Sequence, residues 1–244
     1  MRTIAIGDIH GCAKALRTLL ERIEPQPDDT LIFLGDYVDR GPDSRDVIEQ
    51  ILELSTRCQV IALRGNHEIM LMGVMLGGLS PDLWLACGGQ ATVSSYGGAI
   101  DKMPVSHRKF LSELTSFHET DDAIFVHANY LADTPMDQQA EQHMFWEHLG
   151  VVPPPHQSGK RVFVGHTPQP SGNILDHGHL VCLDTCCFGG LWLTAMDIHS
   201  GDIWQTDFHG HERRQRWREL ARAIGKWSRK TYGKLTSSPS KPAP

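Results

Sequence analysis

The chain has 244 residues, of which 40% are hydrophobic and 21% are charged, an ordinary composition for a globular protein. This length predicts one large domain with a buried core rather than two domains. With 23 basic and 29 acidic side chains, the formal net charge of −6 disfavours a general attraction to nucleic acid or to anionic membranes. An anionic ligand would therefore need a local positive centre.

The cysteines and the amino end give expectations about the cellular compartment. The six cysteines show no C-x-x-C spacing, and a chain of this length does not need disulfides to fold, so we expect free thiols. A predicted strand begins at Thr3, which leaves no room for a signal peptide. No apolar run approaches the ~20 residues of a membrane helix. We therefore expect a cytoplasmic protein with no membrane partner.

Strand and helix patterns alternate through the first 63 residues. Short apolar runs predict strands at residues 3–6, 31–34 and 60–63. The segments between them, residues 13–23 and 47–54, carry leucine, isoleucine, valine or alanine at helical spacing. This order predicts right-handed βαβ units on a parallel sheet.

The later pattern is different. We predict a helix at residues 69–79, a flexible loop at 88–98 that would form a mobile rim of a site, and a helix at 106–115. Strands are predicted at 123–126, 161–164 and 180–183, and a hairpin at 191–198 and 202–206. Because these strands lack long crossover helices, the second half should be antiparallel or mixed. The fold class is therefore α/β or α+β, with two stacked sheets flanked by helices.

The predicted domain spans residues 1–230. Its last helix, at residues 211–229, carries an apolar stripe and a basic face, for which solvation is the favoured interpretation. Residues 231–244 are rich in serine, proline and lysine. Such a composition is typical of a disordered tail.

Three polar motifs follow the first three predicted strands: GDIHG at residues 7–11, GDYVDRG at 35–41 and RGNHE at 64–68. The carboxyl ends of parallel strands lie at one edge of a sheet, where α/β proteins bind their ligands. Positions two apart in an extended segment face the same way, so Asp8 and His10 can converge. We expect Asp36 and Asn66 at the same edge.

Two later predicted strands end in histidine, at His127 and His166. Carboxylates and imidazoles suit hard or borderline divalent metals. Added to the earlier motifs, these two histidines complete a ligand set for two metal ions. Asp36 is the favoured bridging carboxylate.

The blocks GDIHG, GDYVDRG, RGNHE, VHA and GHTP, in that order over residues 7–168, resemble the calcineurin-like metallophosphoesterase superfamily. The second and third blocks look like the phosphoprotein phosphatase branch, and its bacterial and bacteriophage-type Ser/Thr protein phosphatases are nearest in size. The resemblance implies a four-layer fold. It also implies two divalent ions, with manganese favoured over iron or zinc. The ligands it implies are Asp8, His10 and Asp36 on the first metal, and Asp36, Asn66, His127 and His166 on the second.

The resemblance further implies a phosphomonoester hydrolase in which a bridging metal hydroxide attacks phosphorus. A Ser/Thr protein phosphatase is favoured, with dual specificity left open, so the partner would be a phosphorylated protein or a small phosphoester. His67 would be the general acid, oriented by Asp39. Arg40 and Arg64, together with Asn66, would bind the phosphate.

Several alternatives stay open. One is a symmetrical dinucleoside polyphosphate (Ap4A-type) hydrolase or a nucleotide phosphatase, although Asp39 and Glu68 argue against it because those relatives usually lack both. A nuclease is disfavoured by the acidic charge. A catalytically dead, metal-binding regulatory protein is the least favoured, since the ligand set is intact. His148 stands where the phage-type enzymes usually have an arginine, which leaves the substrate undecided.

Overall fold

The computed structural model describes residues 1–213. The helix predicted at residues 211–229 lies outside the described residues, apart from its first three residues. The tail predicted at residues 231–244 lies wholly outside them. The domain boundary at residue 230 therefore stays a prediction. Residues 1–212 form one unit. Within residues 1–213, no helix combines the length and the apolar character needed to cross a bilayer.

Short strands and helices alternate along the described chain. The α-helices are α1 (Ala13–Ile23), α2 (Ser44–Leu54), α3 (Asn66–Met75), α4 (Pro81–Trp84), α5 (Gln90–Ser95), α6 (Val105–Ser112) and α7 (Glu141–Trp146). The strands are β1 (Thr3–Ile6), β2 (Thr30–Phe33), β3 (Gln59–Ala62), β4 (Phe117–Glu119), β5 (Ala123–Val126), β6 (Arg161–Val164), β7 (Leu175–Asp176), β8 (Leu180–Cys182), β9 (Trp192–Asp197) and β10 (Ile203–Asp207). A π-helical turn, Leu85–Gly89, joins α4 to α5.

The first sheet has the strand order β10-β9-β1-β2-β3. The pairs β1–β2 and β2–β3 are parallel, which confirms the predicted βαβ units. The carboxyl-terminal hairpin, β9 and β10, adds antiparallel to β1. The sheet is therefore mixed, and its three parallel strands end at one edge.

The second sheet has the order β4-β5-β6-β8-β7. Its central strands β5, β6 and β8 are parallel, and β4 and β7 pair antiparallel at the two edges. The prediction of a mixed second half is confirmed. The sequence pattern did not predict β4 and β7, because strands of three and two residues are too short to show an alternation.

Successive side chains of a strand point to opposite faces of its sheet, so the two faces pack in different layers. Ile4 and Ile6 of β1 pack in the cluster that contains the buried faces of α1 and α2, whereas Ala5 points to the other side. Between the sheets, Phe125 and Phe163 stack with ring centroids 5.3 Å apart. Ile124 of β5 faces outward with α7. The result is the predicted arrangement of two stacked mixed sheets flanked by helices.

One loop prediction is wrong. Residues 81–95, which overlap the predicted mobile rim, form α4, the π-helical turn and α5. Trp84 is 2% exposed, so this segment is packed against the domain. Gly88, with φ of 110°, kinks the chain before α5, and Gly97 and Gly98, which also have positive φ, follow α5. The prediction of free thiols is confirmed for all six cysteines.

A buried carboxylate ties the amino end of the chain to the start of β2. Asp29 is 2% exposed and accepts hydrogen bonds from Arg2 Nε at 3.1 Å and from the backbone N–H groups of Arg2 and Gln26. The Arg2 hydrogen bond outweighs burial and lowers the pKa of Asp29 to about 2. The ionised form of Asp29 therefore stabilises the folded state.

We expect Asp29→Asn to lower the free energy of unfolding at pH 7 by about 1 kcal/mol, allowing for solvent around the 30% exposed Arg2 side chain. A depressed folded pKa contributes stability above the unfolded value of about 3.9, and that contribution is lost as the pH falls towards 2. Urea titrations of chelator-treated protein should therefore show a smaller difference at pH 3 than at pH 7. The control Asp28→Asn, at an exposed ion pair, should change little. Equal losses at both pH values would contradict this assignment.

Candidate metal centre

The predicted ligands converge where strands of the two sheets end. Asp36 follows β2, and its carboxylate lies 3.4 Å from His10 Nε2 through Oδ2 and 3.4 Å from His127 Nε2 through Oδ1. Asn66 Oδ1 lies 3.1 Å from His127 Nε2 and 3.0 Å from His166 Nδ1. These five side chains lie together, as expected for residues that follow parallel strands at one edge of a sheet, although they are separated by up to 156 residues in sequence (166 − 10).

The backbone is strained at this centre. Seven residues other than glycine have positive φ in the described chain, and five of them belong to the predicted site: His10, Asp36, Asp39, Arg40 and His166. Left-handed conformations cost of order 1–2 kcal/mol per residue for L-amino acids. Such strain persists only where the surrounding structure enforces it, and it concentrates at functional sites.

Asp36 is the shared member of two potential metal-binding groups. One group is His10, Asp36 and His67, and the other is Asp36, His127 and His166; within each, the candidate ligand atoms lie within 4.8 Å of one another. Each carboxylate oxygen of Asp36 faces a different group. This is the placement that a bridging carboxylate requires.

Hydrogen bonds fix the tautomers of two histidines. The Nδ1 atoms of His10 and His127 lie 3.0 Å and 2.7 Å from the backbone carbonyls of Val38 and Leu34. A carbonyl can only accept, so each Nδ1 donates its proton and each Nε2 presents a lone pair to the site. Burial lowers the pKa of His10 to about 3 and also lowers the pKa of His127, which keeps both rings neutral. Neutral imidazole is the form that binds metals.

These groups fit metal ions. The Nε2 lone pair of His127 faces only acceptors, Asp36 Oδ1 and Asn66 Oδ1. Buried acceptors that face one another without a proton repel, and a cation between them removes the repulsion. A carboxylate, an amide oxygen and neutral imidazoles suit manganese, iron or zinc.

Two further carboxylates lie at the centre. Asp8 accepts the backbone N–H of His166 at 2.9 Å, and it lies outside both three-residue groups, so its role as a ligand stays a prediction. Burial, followed by the charges of Asp184 and Asp36, raises the pKa of Asp8 well above its usual value. Burial raises the pKa of Asp184 to about 6. The sequence analysis missed Asp184, although it follows β8 as Asp8 follows β1.

His67 and Asp39 form a buried pair beside the first group. His67 Nδ1 lies 2.8 Å from Asp39 Oδ2, and neither side chain is more than 1% exposed. Burial lowers the pKa of His67, but the charge of Asp36 and the hydrogen bond that His67 donates to Asp39 outweigh it, so the net pKa is raised. A histidine that retains its proton is suited to donate it rather than to bind a cation. This geometry fits the predicted general acid.

The two predicted phosphate-binding arginines differ in their surroundings. Arg40 Nη1 lies 2.9 Å from His10 Nε2, so its guanidinium reaches the centre. Arg64 Nη2 donates to the Leu114 carbonyl at 3.1 Å, and its phosphate contact stays a prediction. The exposed His148 stacks on His166 with ring centroids 4.4 Å apart, which places it at the mouth of the centre.

Glu68 holds the loop that carries Asp36. Its Oε2 accepts the backbone N–H groups of Asp36 and Gly65, both at 2.9 Å, and its Oε1 accepts those of Tyr37 and Val38 at 2.8 and 3.2 Å. Burial raises the pKa of Glu68 to about 8, and the four hydrogen bonds to its two oxygens fix the conformation of this turn. A Cβ at Gly65 would collide with the Asp36 carboxylate, so only glycine fits there.

The two mixed sheets bring together a buried cluster of histidine, carboxylate and amide side chains that could hold metal ions. The family profile of the calcineurin-like phosphoesterases matches residues 1–212. The chain therefore belongs to the calcineurin-like phosphoesterase family. Membership of the phosphoprotein phosphatase branch stays a proposal.

The chain is similar to curated symmetrical bis(5′-nucleosyl)-tetraphosphatases. The protein of Photorhabdus laumondii is 44% identical over 78 residues, which cover 32% of this chain and 28% of that protein. The protein of Salmonella paratyphi A is 31% identical over 155 residues, which cover 63% of this chain and 44% of that protein. The chain thus spans less than half the length of these two relatives.

Solved structures show the same fold. A structure described as a candidate diadenosine tetraphosphatase superposes with a TM-score of 0.64 at 23% identity, and covers 84% of this chain and 92% of that chain. A cold-active protein-tyrosine phosphatase from a Shewanella species superposes with a TM-score of 0.59 at 14% identity, over 87% of this chain and 79% of that chain. Both identities are low, so these likenesses establish the fold alone.

Proposed function

We propose that this chain hydrolyses symmetrical dinucleoside tetraphosphates at a centre that holds two divalent cations. The observation that carries the proposal is its similarity to curated symmetrical bis(5′-nucleosyl)-tetraphosphatases at 31–44% identity. This reverses the order of preference that the motifs alone suggested, because Asp39 and Glu68 had argued for a protein phosphatase.

The ligand groups explain how an acidic chain can bind a polyanion. His10 and Asp36 would hold one cation, with Asp8 as the further ligand implied by the motif; Asp36, Asn66, His127 and His166 would hold the other. When bound, two such cations supply charge neutralisation for phosphate oxygens and a water acidic enough to attack phosphorus near neutral pH. Manganese is the favoured metal, with iron and zinc as alternatives.

Arg40 supplies a permanent positive charge at the same place. Its guanidinium lies beside His10, and its planar fork can bind two oxygens of one phosphate. Arg40 would therefore orient the phosphate that is attacked.

His67 would protonate the leaving oxygen. As water adds to phosphorus and the bond between phosphorus and the leaving oxygen breaks, the proton on His67 Nε2 moves to that oxygen. Asp39 Oδ2 accepts a hydrogen bond from His67 Nδ1–H, with 2.8 Å between Nδ1 and Oδ2. This bond keeps Nε2 directed at the reacting group. General acid catalysis of this kind contributes about 10²–10⁴-fold to the rate.

A second candidate is a phosphomonoesterase, with phosphoserine and phosphothreonine proteins as substrates and dual specificity still open. The buried Asp39–His67 pair favours it. A general acid matters most for a poor leaving group such as a serine alkoxide, and less for a nucleoside diphosphate, which leaves readily as an anion. A catalytically dead regulatory protein remains the least favoured alternative.

A substrate panel tests the proposal. With Mn²⁺ present, we expect kcat/KM for diadenosine tetraphosphate to exceed that for phosphoserine and phosphotyrosine peptides by at least about 100-fold, or about 2.7 kcal/mol of transition-state stabilisation. Chromatography should show ADP as the only nucleotide product. Preparations of Asp36→Asn made in parallel control for contaminating phosphatases.

The other outcomes have separate meanings. A preference for the phosphopeptides would reject the tetraphosphate proposal in favour of the phosphomonoesterase. Release of AMP and ATP would mean that cleavage is not symmetrical. Hydrolysis of none of these compounds under any divalent metal would favour the regulatory alternative.

A further inference from the structure

The Asp39 carboxylate has two donors besides His67. Trp84 Nε1 donates to Oδ2 at 2.8 Å, the same oxygen that accepts from His67, and Thr92 Oγ1 donates to Oδ1 at 2.6 Å. Asp39 is 0%, Thr92 0% and Trp84 2% exposed, so water does not compete for these bonds. Both oxygens of the carboxylate are therefore held by side chains that take no direct part in the reaction.

The same segment also holds the backbone of Asp39 and Arg40. The two residues have φ of 71° and 67°, so the chain is in the left-handed region at two successive positions. The Asp39 N–H donates to Thr92 Oγ1 at 2.9 Å and lies 3.1 Å from Ser44 Oγ, and the Arg40 N–H donates to the Gly88 carbonyl at 3.1 Å. These bonds offset the strain of an unfavourable turn.

Trp84, Gly88 and Thr92 belong to one segment, made of α4, the turn Leu85–Gly89 and α5, and the chain kinks within it at Gly88, where φ is 110°. A Cβ at Gly88 would lie 2.8 Å from the Arg40 backbone nitrogen, so glycine allows this close approach.

We propose that Trp84 and Thr92 are positioning residues for general acid catalysis, acting through Asp39 on His67. The proposal rests on the function proposed above, in which His67 protonates the leaving oxygen. With two fixed donors, the Asp39 carboxylate cannot rotate away from the His67 ring. The Nδ1 proton then stays on the side of Asp39, and Nε2 stays directed at the reacting group. The segment that contains residues 84–92 thereby becomes part of the catalytic apparatus without touching substrate.

Leaving-group dependence separates this role from a purely structural one. Phenyl phosphate has a poor leaving group and p-nitrophenyl phosphate a good one, so the two monoesters differ in how much their hydrolysis needs a general acid. Trp84→Phe keeps the ring and removes only the N–H donor; Thr92→Val keeps the shape and removes the hydroxyl. We expect each to lower kcat for phenyl phosphate about tenfold and to lower kcat for p-nitrophenyl phosphate much less.

Three further variants complete the experiment. Thr92→Ser restores the hydroxyl and should recover most of the phenyl phosphate turnover. Trp204→Phe, a half-buried tryptophan on β10 away from the centre, should show no selective loss. His67→Asn, measured in the same series, should show the largest selective loss.

Equal losses on the two phosphates, or no loss, in both Trp84→Phe and Thr92→Val would overturn the positioning role. If His67→Asn itself showed no dependence on the leaving group, the general acid function would fail instead. The two failures are therefore distinguishable. Thermal unfolding and the manganese content of each variant would identify a loss of activity that comes from misfolding. If Trp84→Phe does not fold, Thr92→Val carries the test.

Discussion

Replacing His67 with asparagine should lower kcat for phenyl phosphate by about 10²–10⁴-fold while the metal content stays unchanged. Asparagine cannot donate a proton from an acidic group to the leaving oxygen. It keeps the backbone N–H that bonds Asp36 Oδ1 at 3.2 Å, so the Asp36 loop should hold its position. Steady-state kinetics on phenyl phosphate, with manganese counted by mass spectrometry on the same sample, measures both quantities.

His118→Asn is the matched control for this substitution. His118 lies on β4 in the second sheet, half-buried and outside both ligand groups, so the control makes the same chemical change without touching the centre. It should leave kcat and metal content unchanged. Normal turnover of phenyl phosphate by the His67 variant would mean that another group protonates the leaving oxygen.

Replacing Asp36 with asparagine should remove both cations together and lower kcat by about 10³-fold or more, because several kcal/mol of charge stabilisation in the transition state is lost with them. Asp36 is the one residue shared by the two groups. Its oxygens face different histidines, so neither half of the centre remains complete. Replacement of a peripheral ligand should have a smaller effect on the more distant cation.

The folded state should survive this change. Asparagine has the shape of aspartate, and its side-chain oxygen can still accept the backbone N–H of His67, which bonds Asp36 Oδ1 at 3.2 Å. Circular dichroism should therefore show a folded Asp36→Asn variant with little bound manganese. Asp101→Asn, at an exposed position, is the control and should bind metal normally. An Asp36 variant that retained two cations would exclude the bridging role.

The positions of most of the proposed ligands could be predicted because these residues obey a local rule. Each follows a strand with a clear apolar run, and parallel strands end at a common edge. His10, Asp36, Asn66, His127 and His166 were found in this way, and the structure brings all five together. Asp184 obeys the same rule after β8 and was missed because its neighbours spell no motif.

The predictions that failed concern segments whose structure depends on contacts with residues far away in the sequence. Residues 88–98 were predicted to be a loop because a glycine pair stands at each end. Residues 90–95 are helical instead, and Trp84 and Thr92 tie this segment to Asp39, more than 40 residues earlier. Side-chain bonds of this range leave no periodic trace in the sequence. The same holds for the short edge strands β4 and β7, which form only because β5 and β8 offer partners.

The substrate is the other quantity that local patterns did not determine. The motifs favoured a protein phosphatase, whereas the curated relatives at 31–44% identity are symmetrical tetraphosphatases. The residues proposed to bind metal and to transfer protons are compatible with both, because both reactions attack phosphorus with water. Specificity depends on the surface around the centre, where His148 stacks on His166 in place of the expected arginine.

The number of metal ions bound to each chain tests the two-cation centre most directly. The metal-free protein should be titrated with Mn²⁺ by calorimetry, and the bound ions counted after removal of free metal. Two ions per chain, with activity that appears as the second site fills and is lost on chelation, is the predicted result. A single bound ion at full activity, or full activity in metal-free protein, would contradict it.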